Sequence, residues 1–230
     1  MTTVVAIANP RSGSGKTTAV ASIAGALAEQ GAAVLAVDLD PQAALTRRLG
    51  IDAEEIDRSL YDVIMLGERA VHAMVDTDAN IDLLPAALEL SGVEAALVTR
   101  SGREQLVRDA LREVREDYDW ILVDCASSLG ILAQNGLSMA DWLIIPMQDY
   151  SERALEQLLD AVAEIRKFVN PGLQILGVLP SNADTVTARQ IADDLRRTHD
   201  LPLLPAIPSG ARAHGAYREV ARRLLELKAG

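Results

Sequence analysis

The stretch Asn9-Pro10-Arg11-Ser12-Gly13-Ser14-Gly15-Lys16-Thr17-Thr18 lies between an apolar run, Val4–Ala8, and a helical pattern over Lys16–Gln30. That placement is what a phosphate-binding loop requires. Small residues let successive backbone N–H groups face one anion, and the following helix adds the positive end of its dipole. Lys16 can then reach the terminal phosphates, and Thr17 offers a hydroxyl to a divalent cation. The strict spacing G-x-x-x-x-G-K-[ST] is not met, because Pro10 stands at the first glycine position. Lys16 is one of only three lysines in a chain with 19 arginines, so a generic surface cation here would more often be Arg.

Working outward, strand-like runs recur at Val4–Ala8, Ala33–Asp38, Ile81–Leu84, Trp120–Asp124, Trp142–Pro146, Gln174–Leu179 and Leu203–Ile207. Several are continuously apolar, the pattern of strands buried on both faces of a parallel sheet. Helical patterns fall between them at Lys16–Gln30, Gly102–Glu116, Ser151–Val169, Thr187–Thr198 and Tyr217–Leu227. The alternation predicts an α/β fold, a doubly wound, mostly parallel sheet flanked by helices, with its site beyond the carboxyl ends of the strands. Residues 50–80 read as an insertion packed on the sheet's edge, with a short helical piece at Leu60–Leu66. At 230 residues, one domain over 1–230 is the expectation.

Composition narrows the function classes. With 49% apolar and 24% charged residues the chain is globular in type. Its single cysteine, Cys125, can form neither an internal disulfide nor a four-cysteine metal site, and suits a reducing compartment. The N-terminus MTTVVAIANP lacks signal-peptide features, and no apolar run approaches the roughly 18 residues of a membrane span, so a cytoplasmic protein is expected. The net charge of −11 argues against uniform coating of nucleic acid or anionic lipid. Yet residues 170–230 carry +2 while the first 169 carry −13, an asymmetry that can conceal a polyanion site. His72, His199 and His214 show no metal spacing and read as surface or structural residues.

Two acidic strand ends accompany the loop. Asp38-Leu39-Asp40-Pro41-Gln42 closes the second run, and strand alternation would put Asp38 and Asp40 on one side near the sheet's carboxyl edge. Trp120-Ile121-Leu122-Val123-Asp124 closes another apolar run with one acid, as expected of a carboxylate that holds Mg²⁺ directly or through water. A helix cap or turn would equally employ either aspartate alone; in company with the loop, both point to an ATPase.

These motifs resemble the ParA/Soj branch of the deviant Walker A ATPases. Its loop reads K-G-G-x-G-K-T-T, its second strand ends D-x-D-P-Q, and its Walker B segment reads Y-D-[YF]-x-x-x-D-C-P-P-S-L-G. Here the corresponding stretches are R-S-G-S-G-K-T-T, D-L-D-P-Q and Y-D-W-I-L-V-D-C-A-S-S-L-G. The likeness runs from about residue 3 to residue 228 and implies a P-loop NTPase fold of the deviant Walker A type, with ATP and Mg²⁺ as cofactors. It implies nucleotide contacts from Arg11, Ser12, Gly13, Ser14, Gly15, Lys16, Thr17 and Thr18, metal support from Thr17, Asp40 and Asp124, and a water-orienting role for Asp40. Catalytic roles fall to Lys16, Asp40, Asp124 and Arg11, the last in place of a signature lysine that reaches into the partner's site of an ATP-dependent homodimer. Asn182 and Pro208 lie in the loops where relatives hold the adenine.

The resemblance further implies nonspecific binding of double-stranded DNA by the ATP dimer, with Arg189, Arg196, Arg197, Arg218, Arg222 and Arg223 as candidates. Arg212 falls nearer the nucleotide or the dimer seam. Aromatics at 3% argue for contacts to duplex phosphates rather than base stacking. The expected function is a nucleoid-associated, cytoplasmic partitioning or positioning ATPase that moves a chromosome, plasmid or other cargo with a ParB-like or other stimulating adaptor. The alternative is a MinD-like membrane-cycling ATPase using an amphipathic segment at Tyr217–Leu227, but that segment is more simply the last helix of the fold, so membrane binding is not expected. A metabolic P-loop enzyme is a third reading. A nitrogenase-type iron protein is excluded, because its cluster needs two cysteines per subunit.

Overall fold

The computed structural model describes residues 1–229, so Gly230, the last residue of the expected domain, lies outside the described residues. In chain order the regular elements are β1 (Thr3–Ile7), α1 (Lys16–Ala28), β2 (Val34–Asp38), α2 (Ala44–Arg48), α3 (Ala70–Ala73), β3 (Val75–Asp76), β4 (Asp82–Leu84), α4 (Val93–Leu97) and α5 (Leu106–Ala110). They continue with β5 (Trp120–Asp124), α6 (Ile131–Met139), β6 (Trp142–Met147), α7 (Glu152–Phe168), β7 (Gln174–Pro180), α8 (Thr185–Thr198) and α9 (Ala213–Ala229). The strands form one sheet in the order β3-β4-β2-β5-β1-β6-β7, parallel throughout except for β3, which runs antiparallel to β4.

Each inner strand is apolar along most of its length because both faces are covered. Val4, Ala6, Leu35, Val37, Ile121, Val123, Leu143 and Ile145 belong to the cluster on one face, shared with α4 through α8. Val5, Ile7, Val34, Ala36, Trp120, Leu122 and Ile144 belong to the other, against α1 and α9. Each fully buried Val, Leu or Ile contributes roughly 1.5–3 kcal/mol of transfer free energy, so this alternation sets the strand register firmly. The α/β, mostly parallel, helix-flanked architecture expected from the sequence is the one observed.

Two local expectations are corrected and two further segments gain detail. Leu203–Ile207 is no strand: Pro202 and Pro205 lack N–H groups, and the segment is held only by a bridge of Leu203 to Val178 and by bonds such as Leu204 N–H to the Val178 carbonyl. Gly102–Glu116 is no single helix but a chain of short turns around α5, its buried stripe limited to Val107, Leu111 and Val114. The Asn135 side chain takes the Val107 N–H and so sets where α5 begins. The segment Ile131–Met139, for which the sequence reading named no element, is helical as α6, with nearly every residue buried. The 50–80 region does more than pack on the edge, since it supplies the antiparallel edge strand β3 and a π-helical turn at Asp62–Leu66.

Candidate functional site

The carboxyl ends of three adjacent strands set the site. In the parallel register Ile7 and Asp38 both pair with Asp124, so the segments following β1, β2 and β5 start side by side. The first of these is the phosphate-loop candidate. Asn9 anchors it: its Nδ2 donates to the Pro146 carbonyl of β6 at 2.7 Å, and its Oδ1 accepts the Arg11 N–H at 2.9 Å. The loop enters α1 at Gly15, whose φ of 99° is left-handed and whose Cβ, were there one, would sit 3.1 Å from Ser181 Cβ. Glycine is required there by both conformation and space.

Lys16 folds back into this loop. Its ammonium donates to the Asn9 carbonyl at 3.0 Å, the Arg11 carbonyl at 3.2 Å and Ser127 Oγ at 2.9 Å. Burial pushes its pKa down, partly opposed by the carboxylates of Asp124 and Asp40. Thr17 Oγ1 donates to Asp124 Oδ2 at 2.7 Å, while Asp124 Oδ1 and Ser14 Oγ are buried without a hydrogen-bond partner. Burial, reinforced by the neighbouring Asp38 carboxylate, raises the Asp124 pKa to about 8. An orphaned carboxylate oxygen beside a threonine hydroxyl is a hard oxygen donor set, and it fits a Mg²⁺ ion.

Asp38 and Asp40 part company. β2 ends at Asp38, so the strand alternation that would align the two stops there. Asp38 is fully buried, accepts N–H and O–H donors from Thr46 and the Asp40 N–H, and has its pKa raised to about 6, chiefly by burial. Asp40 stands half-buried beyond the strand end, where it shares a surface depression with Ser12 and Ser127. Of the two, only Asp40 reaches the surface; the expectation that both lie on one side near the sheet's carboxyl edge is corrected.

Beside Gly15 and Thr18 opens a cavity of about 240 Å³, lined by Gln148, Ser181, Asn182, Ile207, Pro208 and Tyr217 among others. The Ala183 N–H to Ile207 carbonyl bond, 2.9 Å, ties its two loops together. Asn182 and Pro208 therefore meet next to the phosphate loop. Arg11 turns the other way: its guanidinium lies on the exposed rim, 2.5 Å from Asp149 Oδ2.

Residues 2–175 match the AAA domain family. The chain is 37% identical over 187 residues to the sporulation initiation inhibitor protein Soj of Bacillus subtilis, covering 80% of this chain and 74% of Soj. It is 37% identical over 200 residues to the chromosome partitioning protein ParA of Caulobacter vibrioides, covering 84% and 75%. The chain belongs to the ParA-like family of P-loop ATPases.

Cobyrinic acid a,c-diamide synthase from Mycobacterium smegmatis, solved with bound ADP and magnesium, is similar to this ParA-like chain at 40% identity and a TM-score of 0.96, covering 100% of this chain and 96% of that one. The same enzyme with an ATP analogue and magnesium gives 39% and 0.96. Homologous structures of this fold thus hold ADP or an ATP analogue together with magnesium.

Three residues around the ParA-like loop escaped the sequence reading of roles: Asn9, Ser127 and Asp149. Asn9 carried one local signal, since an Asn side chain readily bonds the N–H two residues on. Ser127 and Asp149 carried none, because their partners are 111 and 138 residues away. The six arginines offered for DNA are carried by two helices. Arg189, Arg196 and Arg197 ride on α8, whose buried Ile191 and Leu195 join one face of the sheet. Arg218, Arg222 and Arg223 ride on α9, whose Val220 and Leu224 join the other. Most already face acids: Arg196 with Asp193, Arg197 with Asp194, Arg222 with Glu219 and Glu226, Arg218 with Glu29.

Proposed function

We propose that this chain is a Mg²⁺-dependent, slowly hydrolysing ParA-like positioning ATPase. ATP binding pairs two copies, the pair holds nonspecific duplex DNA, and an adaptor on the cargo stimulates hydrolysis and release. Lys16 and the backbone N–H groups of Ser12 to Thr18 bind the phosphates, while Thr17 and Asp124, with support from Asp40, hold the metal. Bound Mg²⁺ supplies neutralisation of the phosphate charge. Asp40 orients the attacking water, and the cavity lined by Asn182 and Pro208 receives the adenine.

The observation that carries this reading is the division of labour between two cations on one loop. Lys16 fills the cradle from inside, bonded to the Arg11 carbonyl, while the Arg11 side chain lies on the outer rim with Asp149. A cation so placed can act on a second copy's phosphates and contributes nothing to its own. Arg11 stands where the family loop has its signature lysine, and its planar fork can stabilise transferred-phosphoryl charge in trans as an arginine finger does.

The similarity to a diamide synthase supports a second reading, an ATP-dependent amide-forming enzyme. Such an enzyme would have to take its ammonia from a source other than Cys125. Cys125 is fully buried and its thiol is pushed up to about 12, so it is no nucleophile for releasing ammonia from glutamine. The membrane-cycling reading loses its support in α9, whose apolar face of Tyr217, Val220, Ala221 and Leu224 is spent against the sheet and α1.

Retention of nonspecific duplex DNA at low salt, measured with Mg²⁺ and ATP, ADP or no nucleotide alongside the molar mass in each state, tests the proposal. Retention and doubled mass with ATP alone are expected. Monomers that bind ATP yet ignore DNA would move the ligase reading forward.

A further inference from the structure

The loop that carries Asp40 is held from below by a carboxylate that never reaches the site. Asp38 Oδ1 accepts the Asp40 N–H at 3.1 Å, and Oδ2 accepts both the Thr46 N–H at 2.9 Å and the Thr46 hydroxyl at 2.8 Å. The same Thr46 oxygen accepts the Ala86 N–H at 3.1 Å, from the segment just past β4. Asp38 and Thr46 are both fully buried. Between these two anchors the loop closes on itself: Asp40 Oδ1 takes the Gln42 N–H at 2.9 Å, the Asp40 carbonyl takes the Ala43 N–H at 2.8 Å, and Ala43 sits at a left-handed φ of 49°.

We infer that Asp38 and Thr46 are a positioning pair for hydrolysis, fixing the Asp40 carboxylate through the loop's two ends while touching neither nucleotide nor metal. A buried carboxylate is costly unless its oxygens are hydrogen-bonded, and once satisfied it is directionally strict. All three donors of Asp38 come from the Asp40 loop or from the first turn of α2 that ends it. The non-glycine left-handed residue at Ala43 needs a surround that over-determines it, and the Thr46 anchor three residues on supplies that. Displacing a positioned group by about 1 Å can cost on the order of a hundredfold in rate, so the pair acts on turnover and not on nucleotide affinity.

This inference rests on the reading of Asp40 as the water-orienting residue, and its test separates the two. Steady-state ATPase and fluorescent-ATP binding would be compared for the unmutated protein, Asp40→Ala, Asp38→Asn, Thr46→Val and Thr46→Ser. Thr46→Val keeps the side-chain shape without the hydroxyl; about a tenfold or greater loss of kcat is expected, with KM and nucleotide affinity within about twofold. Thr46→Ser restores the hydroxyl and should return kcat to within about threefold of the original. Full turnover in Thr46→Val and Asp38→Asn, with Asp40→Ala inactive, would overturn the positioning pair and leave the Asp40 reading intact. Thr46→Ser as slow as Thr46→Val would also overturn it, since shape and not the hydroxyl would then matter. Full turnover in Asp40→Ala would sink both.

Discussion

The Thr17 hydroxyl donates to one oxygen of Asp124, and the other oxygen of that carboxylate is buried with no partner. Asp124 is therefore satisfied on one side only, in a setting where burial and Asp38 already disfavour its charge. The arrangement suits a cation and is strained for the protein alone.

One consequence is a pH dependence of the nucleotide-free protein. The folded pKa values of Asp124, about 8, and Asp38, about 6, lie above the ordinary value of 3.8. The folded form thus binds more protons than the unfolded chain between about pH 4 and pH 8, and stability falls as pH rises through that window. Thermal melts should show Asp124→Asn raising Tm at pH 8, through a stability gain on the order of a few kcal/mol, and flattening the slope from pH 6 to 8. An unchanged slope in that variant would remove Asp124 as its cause.

Lys16 is buried with its ammonium on two carbonyls and a hydroxyl, a charged group whose burial already costs stability. Lys16→Met removes the charge and keeps much of the volume. ATP affinity should drop by at least about tenfold, the worth of a charged hydrogen bond, without a fall in the Tm of the nucleotide-free protein. Equilibrium binding of a fluorescent ATP analogue and melting curves decide both halves.

The Arg11–Asp149 pair is exposed, so it is worth about 0–1 kcal/mol to the fold. Asp149→Ala should leave Tm within a few degrees while easing ATP-dependent pairing, because Arg11 no longer has a local partner to leave. Arg11→Ala should lose turnover with ATP affinity intact, and Arg11→Lys should retain more. Equal rates for all three proteins would show that Arg11 has no part in hydrolysis.

Gly136 in α6 lies against the strand that ends at Asp124. A Cβ there would stand 2.6 Å from Cys125 Sγ and 3.1 Å from Leu39 Cδ1. Gly136→Ala should cost about 1–3 kcal/mol by overpacking, read from denaturant unfolding. Adding Cys125→Ala should recover part of that loss, and strictly additive effects in the double mutant would refute the clash.

Because the arginines of α8 and α9 lie over opposite faces of the sheet, the two groups need not act together on DNA. Arg196→Ala with Arg197→Ala, and separately Arg222→Ala with Arg223→Ala, should give unequal losses of ATP-dependent DNA retention. In the pair that meets phosphates, the salt-dependence slope should fall by about one per arginine removed. No loss from either pair would place the DNA surface elsewhere.

The parts of this site that are contiguous in the chain were legible without coordinates. A small-residue loop ending in Gly15-Lys16-Thr17, set between an apolar run and a helical pattern, announces phosphate binding because strand, loop and helix dipole are consecutive. Asp124 was legible because an acid closing an all-apolar run has nowhere to lie but the strand's end. Local pattern failed where proline or long-range contacts overrode it, as at Leu203–Ile207 and over Gly102–Glu116.

Only the tertiary structure decided what the side chains meet. The period of two that joined Asp38 to Asp40 ended with β2, and the register that sets Asp38 against Asp124 turned the first aspartate inward to Thr46. Asn9 on Pro146, Lys16 on Ser127 and Arg11 on Asp149 bridge more than 100 residues each. Sequence periodicity specifies which face of an element is apolar; it carries nothing about which distant strand end lies alongside, and that is set by the order in which the crossovers lay the strands into the sheet.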